Sequence, residues 1–131
     1  MKIFSSIALS LALLSGCTVL GARYDSNEYL AFANIAFVAQ SAKANCGAEP
    51  PELQKFAEQI KDYSSFAVVF TKHEPYNQET YAMAQEIESL SVEFKRASKD
   101  KMTEGYCKIK LDTIQHVAEV AMEASASKRR Q

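Results

Sequence analysis

Residues 83–97 read MAQEIESLSVEFKRA. Met83, Ala84, Ile87, Leu90, Phe94 and Ala97 recur at spacings of three and four, and Glu86, Glu88, Glu93, Lys95 and Arg96 cover the other side. A single apolar stripe of this period predicts an amphipathic helix packed on a core. Asn77 stands where an N-cap belongs and Glu79 follows in the first turn. The pattern fades into Lys99-Asp100-Lys101. Read outward from this helix, three more segments have the same character. Upstream, Pro51 suits the first position of a helix carrying Leu53, Phe56, Ala57, Ile60, Tyr63, Ala67 and Phe70, with Lys55, Glu58, Lys61 and Asp62 facing out. Its end, FAVVF at 66–70, is apolar all round, and His73-Glu74-Pro75 makes a turn. Downstream, Thr103 caps a helix in which Cys107, Leu111, Ile114, Ala118 and Ala121 repeat.

The first helix is less tidy. Asp25 and Glu28 have the spacing of a capping box, and the helix is expected to run to about Asn45, where Gly47 and Pro50-Pro51 forbid continuation. Leu30, Ala33, Phe37 and Ala44 fall on one side, with Phe32, Ile35, Ala36 and Ala39 close by. Asn27, Asn34, Ser41 and Asn45 leave only a narrow polar stripe. A helix so apolar around its circumference is buried on two sides or lines a groove. Four helices of about 18–22 residues joined by short loops predict an all-α, antiparallel four-helix bundle over residues 26–127.

The N-terminus carries a different signal. Met1-Lys2 is a positive start, Ile3 to Leu14 form an apolar run broken only by serines, and Leu14-Ser15-Gly16-Cys17 follows. The run is too short for a span of about 20 apolar residues and has the layout of a secretory leader. Its last four residues resemble the lipobox of bacterial lipoproteins. That resemblance implies removal of residues 1–16 as a signal peptide and lipidation of Cys17. It also implies a lipid anchor in the outer membrane, facing the periplasm, since Thr18 stands where inner-membrane lipoproteins usually carry Asp. Residues 17–25 then form a tether whose eight residues beyond Cys17 reach about 26 Å when extended.

Of 131 residues, 115 remain after such processing, enough for one domain with a modest core. The net charge of −1 gives no field suited to nucleic acid, so none is expected as a partner. With Cys17 acylated, two cysteines remain. Outside the cytoplasm they read as one disulfide, Cys46–Cys107. An up-down-up-down bundle places the end of the first helix and the start of the fourth at the same pole, so the pairing and the topology support each other.

Catalytic chemistry is not visible. His73 reads as a solvated turn residue. His116, with Asp112 and Glu119 nearby in sequence, lacks the paired Glu-x-x-His pattern of di-metal bundles and reads as a surface histidine. No nucleophile elbow, phosphate loop or zinc spacing occurs. We therefore expect no enzyme, no metal and no cofactor. Lys128, Arg129 and Arg130 form a basic tail (128–131) expected to lie near the bilayer. Seven Phe and six Tyr exceed what so small a core hides easily. Phe32, Phe37, Phe66, Val69 and Phe70 are the candidates for an exposed partner groove.

A lipobox, a short tether, four helices, Tyr29-Leu30 opening the first, Cys46 closing it, Pro50-Pro51 soon after and Cys107 further on are together similar to the pilotin lipoproteins of type II secretion systems. The resemblance implies a non-catalytic role: binding a disordered C-terminal segment of a secretin as a helix in a groove and carrying it to the outer membrane. Without that resemblance, the residues also suit an envelope structural or exclusion lipoprotein, phage- or plasmid-borne ones included, that binds another membrane protein. A periplasmic inhibitor would need a protruding polar loop, and the loops here are short. The lipidation reading has a direct check. Replacing Cys17 by Ser should leave an unprocessed, mislocalised precursor whose domain still folds; finding the variant in the outer membrane on fractionation would overturn it.

Overall fold

A computed structural model describes residues 21–128. Among them are four helices: α1 (Ser26–Ala42), α2 (Pro50–His73), α3 (Gln78–Ala97) and α4 (Glu104–Ala126). A turn of 3₁₀ helix, Lys43–Asn45, extends α1. Each helix packs on its neighbours in a closed ring, α1 on α2 and α4, and α3 on α2 and α4. This is the antiparallel bundle expected from the sequence. Among the described residues there is no β-strand, and no helix is long and apolar enough to cross a membrane.

The ends follow local chemistry. Asp25 Oδ1 accepts from the Asn27 N–H at 2.7 Å, and Thr103 Oγ1 accepts from Tyr106 N–H at 3.3 Å. Both satisfy donors that a helix start leaves orphaned. Prolines 50 and 51 occupy the opening positions of α2, after Glu49 as N-cap, where a missing N–H does no harm. Gly47 adopts φ +89, a left-handed conformation that a Cβ would strain, and turns the chain between α1 and α2. The capping box is corrected in one half: Glu28 does not turn back to the helix start but points into the protein.

Phe32, Ile35, Ile60, Ile87, Phe94, Leu111 and Ile114 fill the core. Between them lie alanines 31, 39, 42, 57, 67, 84, 118 and 121, all buried. Ser64, Thr71 and Ser91 join them without needing a partner on another helix. Ser64 Oγ donates to Ile60 C=O at 2.6 Å, Thr71 Oγ1 to Ala67 C=O at 2.7 Å and Ser91 Oγ to Glu88 C=O at 2.7 Å. Small side chains satisfied by their own backbone let neighbouring helices approach closely.

Ion pairs join the helices outside the core. Lys95 on α3 meets Glu58 on α2 at 2.6 Å, and Lys110 on α4 meets Glu93 on α3 at 2.6 Å. Hydrogen bonds from those ammonium groups hold the Glu58 and Glu93 carboxyls below the ordinary range, and Glu93 in turn raises Lys110. Being exposed, such pairs set register more than stability.

Cys46 and Cys107 are joined, with Cα atoms 5.6 Å apart. The bond ties the end of α1 to the first turn of α4. All buried apolar residues lie between Ala31 and Ala121, and both cysteines lie within that span. In the chain-entropy view the bridge closes a loop of 61 residues worth about 4 kcal/mol. Replacing both cysteines by Ala should lower stability by about 2–5 kcal/mol in urea unfolding; free-thiol labelling of the native protein that modifies both cysteines would refute the bridge.

Candidate functional site

α1 buries one face and shows the other. Glu28, Ala31, Phe32, Ile35, Val38, Ala39 and Ala42 are all buried, a run of three- and four-residue steps. Leu30 and Phe37 lie on the outside, Phe37 with 71% of its surface exposed. Of the side expected to carry Leu30, Ala33, Phe37 and Ala44, Leu30, Phe37 and Ala44 are exposed and Ala33 is half-buried. They share the outer face with Asn27 and Asn34, so the polar stripe and the surplus apolar stripe are one surface.

That surface forms one wall of an open groove of about 670 Å³. Asn27, Leu30, Ala31 and Asn34 line it from α1, and Asp62, Tyr63, Phe66 and Phe70 from α2. Antiparallel packing brings the first half of α1 beside the last half of α2, which is why these two sets meet. Phe66 and Phe70, one turn apart, stack with ring centroids at 5.9 Å. Phe66 and Val69 are more than half exposed. The side chains of this trough are apolar over most of its length, with Asp62 as the one charged residue among those lining it.

Of the five partner-binding candidates, Phe66 and Phe70 line the groove, and Phe37 and Val69 are exposed but outside its lining. Phe32 is corrected: it is fully buried in the core and faces away from solvent. Leu30, Ala31, Asn27, Asn34, Asp62 and Tyr63 belong to the groove and were not singled out by the sequence. Leu30 could have been, had α1 been rotated to bury Glu28; Tyr63, expected in the core stripe of α2, is instead exposed at the groove.

Of the basic tail, only Lys128 lies among the described residues, and for it the expectation is corrected. The Lys128 ammonium does not face outward. It donates to both Glu28 and Asn77 Oδ1, and to Thr80 Oγ1 at 2.9 Å. Its side chain is 10% exposed and that of Glu28 only 1%. Asn77 Nδ2 donates to the other Glu28 oxygen at 2.6 Å, and Thr80 Oγ1 donates to Asn77 Oδ1. Asn77 is the N-cap residue of α3, but its side chain makes no cap bond and serves this network instead. Tyr76, just before it, takes φ 57, a left-handed conformation costing on the order of 1 kcal/mol; the buried bonds of Asn77 hold the turn there. Arg129, Arg130, Cys17 and residues 1–16, expected as a signal peptide, lie outside the described residues.

The two histidines are exposed. Asp112 pairs with Lys43, and Glu119 accepts from Gln115 Nε2 at 2.6 Å, so neither converges on His116. Among the described residues no three His, Cys, Asp or Glu side chains are grouped to hold a metal. No protein-family model matches the chain, and neither does any of the curated proteins or solved structures compared with it.

The Glu28 network generates a prediction. Lys128→Met leaves a buried carboxylate without its counter-ion, which should cost about 3 kcal/mol or more. The double variant Glu28→Gln/Lys128→Met removes both charges and should cost clearly less than the single one. Urea unfolding in which Lys128→Met is within experimental error of wild type would show that the pair is not buried in solution.

Proposed function

We propose that the mature protein is an outer-membrane lipoprotein of the pilotin kind, which captures the disordered C-terminal segment of a secretin as a helix and carries it to the outer membrane. The observation that carries this reading is the groove between α1 and α2, where Leu30 and Phe66 stand open to solvent beside a half-buried Phe70 on rigid helices. A monomeric domain seldom leaves aromatic and aliphatic side chains side by side in a trough without a partner. A trough between two helices is suited to a third helix with apolar residues at i, i+3, i+4 and i+7. The lipobox-like leader supports an envelope address, and the short tether would hold the groove near the membrane. Capture of a disordered tail would meet its ordering entropy through this apolar contact.

The test is titration of the oxidised chain from Thr18 onward with the C-terminal peptide of the secretin encoded in the same genome. Binding should come with a gain of helicity by circular dichroism. Phe66→Ala should weaken binding about thirtyfold, since an aromatic hot spot contributes about 2 kcal/mol, and should leave the thermal midpoint near wild type because Phe66 is half exposed. Ile109→Ala, on the exposed side of α4, should change nothing. A tail that produces neither binding nor helicity would end the pilotin reading and leave an envelope structural or exclusion role.

A further inference from the structure

Resting on the helix-capture reading above, we propose that the groove selects a basic amphipathic helix: a partner with a lysine or arginine beside its apolar stripe, held by Asp62.

The argument begins with a charge that has no counterpart. Asp62 lines the groove, is exposed and forms no ion pair with any described residue. Its neighbour one turn earlier on α2, Glu58, is already held by Lys95. The opposite wall cannot neutralise Asp62 either. From Ser26 to Ala42, α1 contains no lysine and no arginine, and its one acidic residue, Glu28, is buried with Lys128. What α1 offers across the trough is the carboxamides of Asn27 and Asn34, seven residues apart on one face. These suit the polar positions flanking a ligand's apolar stripe and would repel neither charge.

Position and surroundings make that carboxylate selective. Asp62 stands one turn before Phe66 and two before Phe70, so it flanks the aromatic row and does not interrupt it. From Asp62 to Phe70 is eight residues, or about 12 Å along the helix. A docked helix of two to three turns would therefore reach both the phenylalanines and the carboxylate. Apolar walls lower the local dielectric and concentrate the field of a single charge. A basic residue on the ligand would be drawn in, and an acidic one at the same place would meet a like charge as it lost water. Because Asp62 is exposed, the effect is on selection and association rate more than on total affinity.

The probes are two 18-residue amidated peptides, alike in an amphipathic leucine and alanine stripe and differing in one flanking residue, Lys or Glu. They are titrated into the oxidised chain from Thr18 onward. The Lys peptide should bind roughly tenfold more tightly than the Glu peptide at low salt. Asp62→Asn should remove about threefold to fivefold of that preference, and Asp62→Lys should reverse it. Asp112→Asn, on α4, should leave it unchanged. High salt should shrink the preference. Equal binding of both peptides, weakened in each case by Phe66→Ala, would overturn the charge assignment and leave the groove reading standing. Binding insensitive to Phe66→Ala, or no binding by either peptide, would overturn the groove reading with it.

Discussion

The carboxylate of Glu28 sets the rotation of the first helix. At 1% exposure it cannot remain charged without partners. Lys128, Asn77 and Thr80 supply them from the end of α4 and the start of α3. Once that side chain points inward, the rest of α1 is determined. Each residue turns the helix by about 100°, so Phe37, nine residues on, lands on the opposite side, and Leu30 lands close to it. The ion pair is thus the reason a helix with apolar residues on nearly every side presents Leu30 and Phe37 to solvent and keeps Phe32 and Ile35 inside. The arrangement also suits both helix dipoles, since Glu28 lies in the first turn of α1 and Lys128 just past the end of α4.

The opposite pole is closed by covalent chemistry. The Cys46–Cys107 bridge and the pairing of Lys43 with Asp112 bind the end of α1 to α4. With Glu28 and Lys128 at the other end, α1 is clamped to α4 along its length. It meets α2 differently. On the solvent side of that seam the side chains facing each other are Leu30 and Asn34 against Tyr63, Phe66 and Phe70, and they do not close over one another. A helix fixed on one flank and open on the other is what a rigid groove requires. Preformed walls spare a ligand the entropy of ordering them.

The legible parts of the fold were those with one stripe per helix. In α4, Cys107, Leu111, Ile114, Ala118 and Ala121 are all buried as their spacing requires, and in α3 Ala84, Ile87 and Phe94 are too. The disulfide followed from two cysteines and an antiparallel order. α1 was ambiguous because it holds two apolar stripes on different faces, and periodicity cannot choose between them. Phe32 and Phe37 are five residues apart, about 140° around the axis, so at most one could join the groove, and hydrophobicity gave no reason to prefer either. The deciding residue was a glutamate, which pattern reading assigns to the surface by default. Ser64, Thr71 and Ser91 went unrecognised in the core for a related reason. Their hydroxyls are satisfied by their own helix, and nothing in the sequence records that.

The same logic explains why the groove could be sensed before it could be located. An excess of aromatic residues over core volume says that some must be exposed, and FAVVF at 66–70 pointed to the right helix. Which of those residues line a common trough depends on where α1 places its wall, and that depends on Glu28. A charge buried at one pole therefore governs an apolar surface along the flank. Were Glu28 free in solvent, α1 could rotate to bury Leu30 and Phe37 against α2, hiding the apolar side chains that now stand open. Such a rotation would lift Phe32 and Ile35 out of the core, so the gain from burying Leu30 and Phe37, about 2 kcal/mol each, would be offset by exposing two side chains of similar size. With apolar burial nearly balanced, the polar network of Glu28, Lys128, Asn77 and Thr80 decides which face of α1 turns inward.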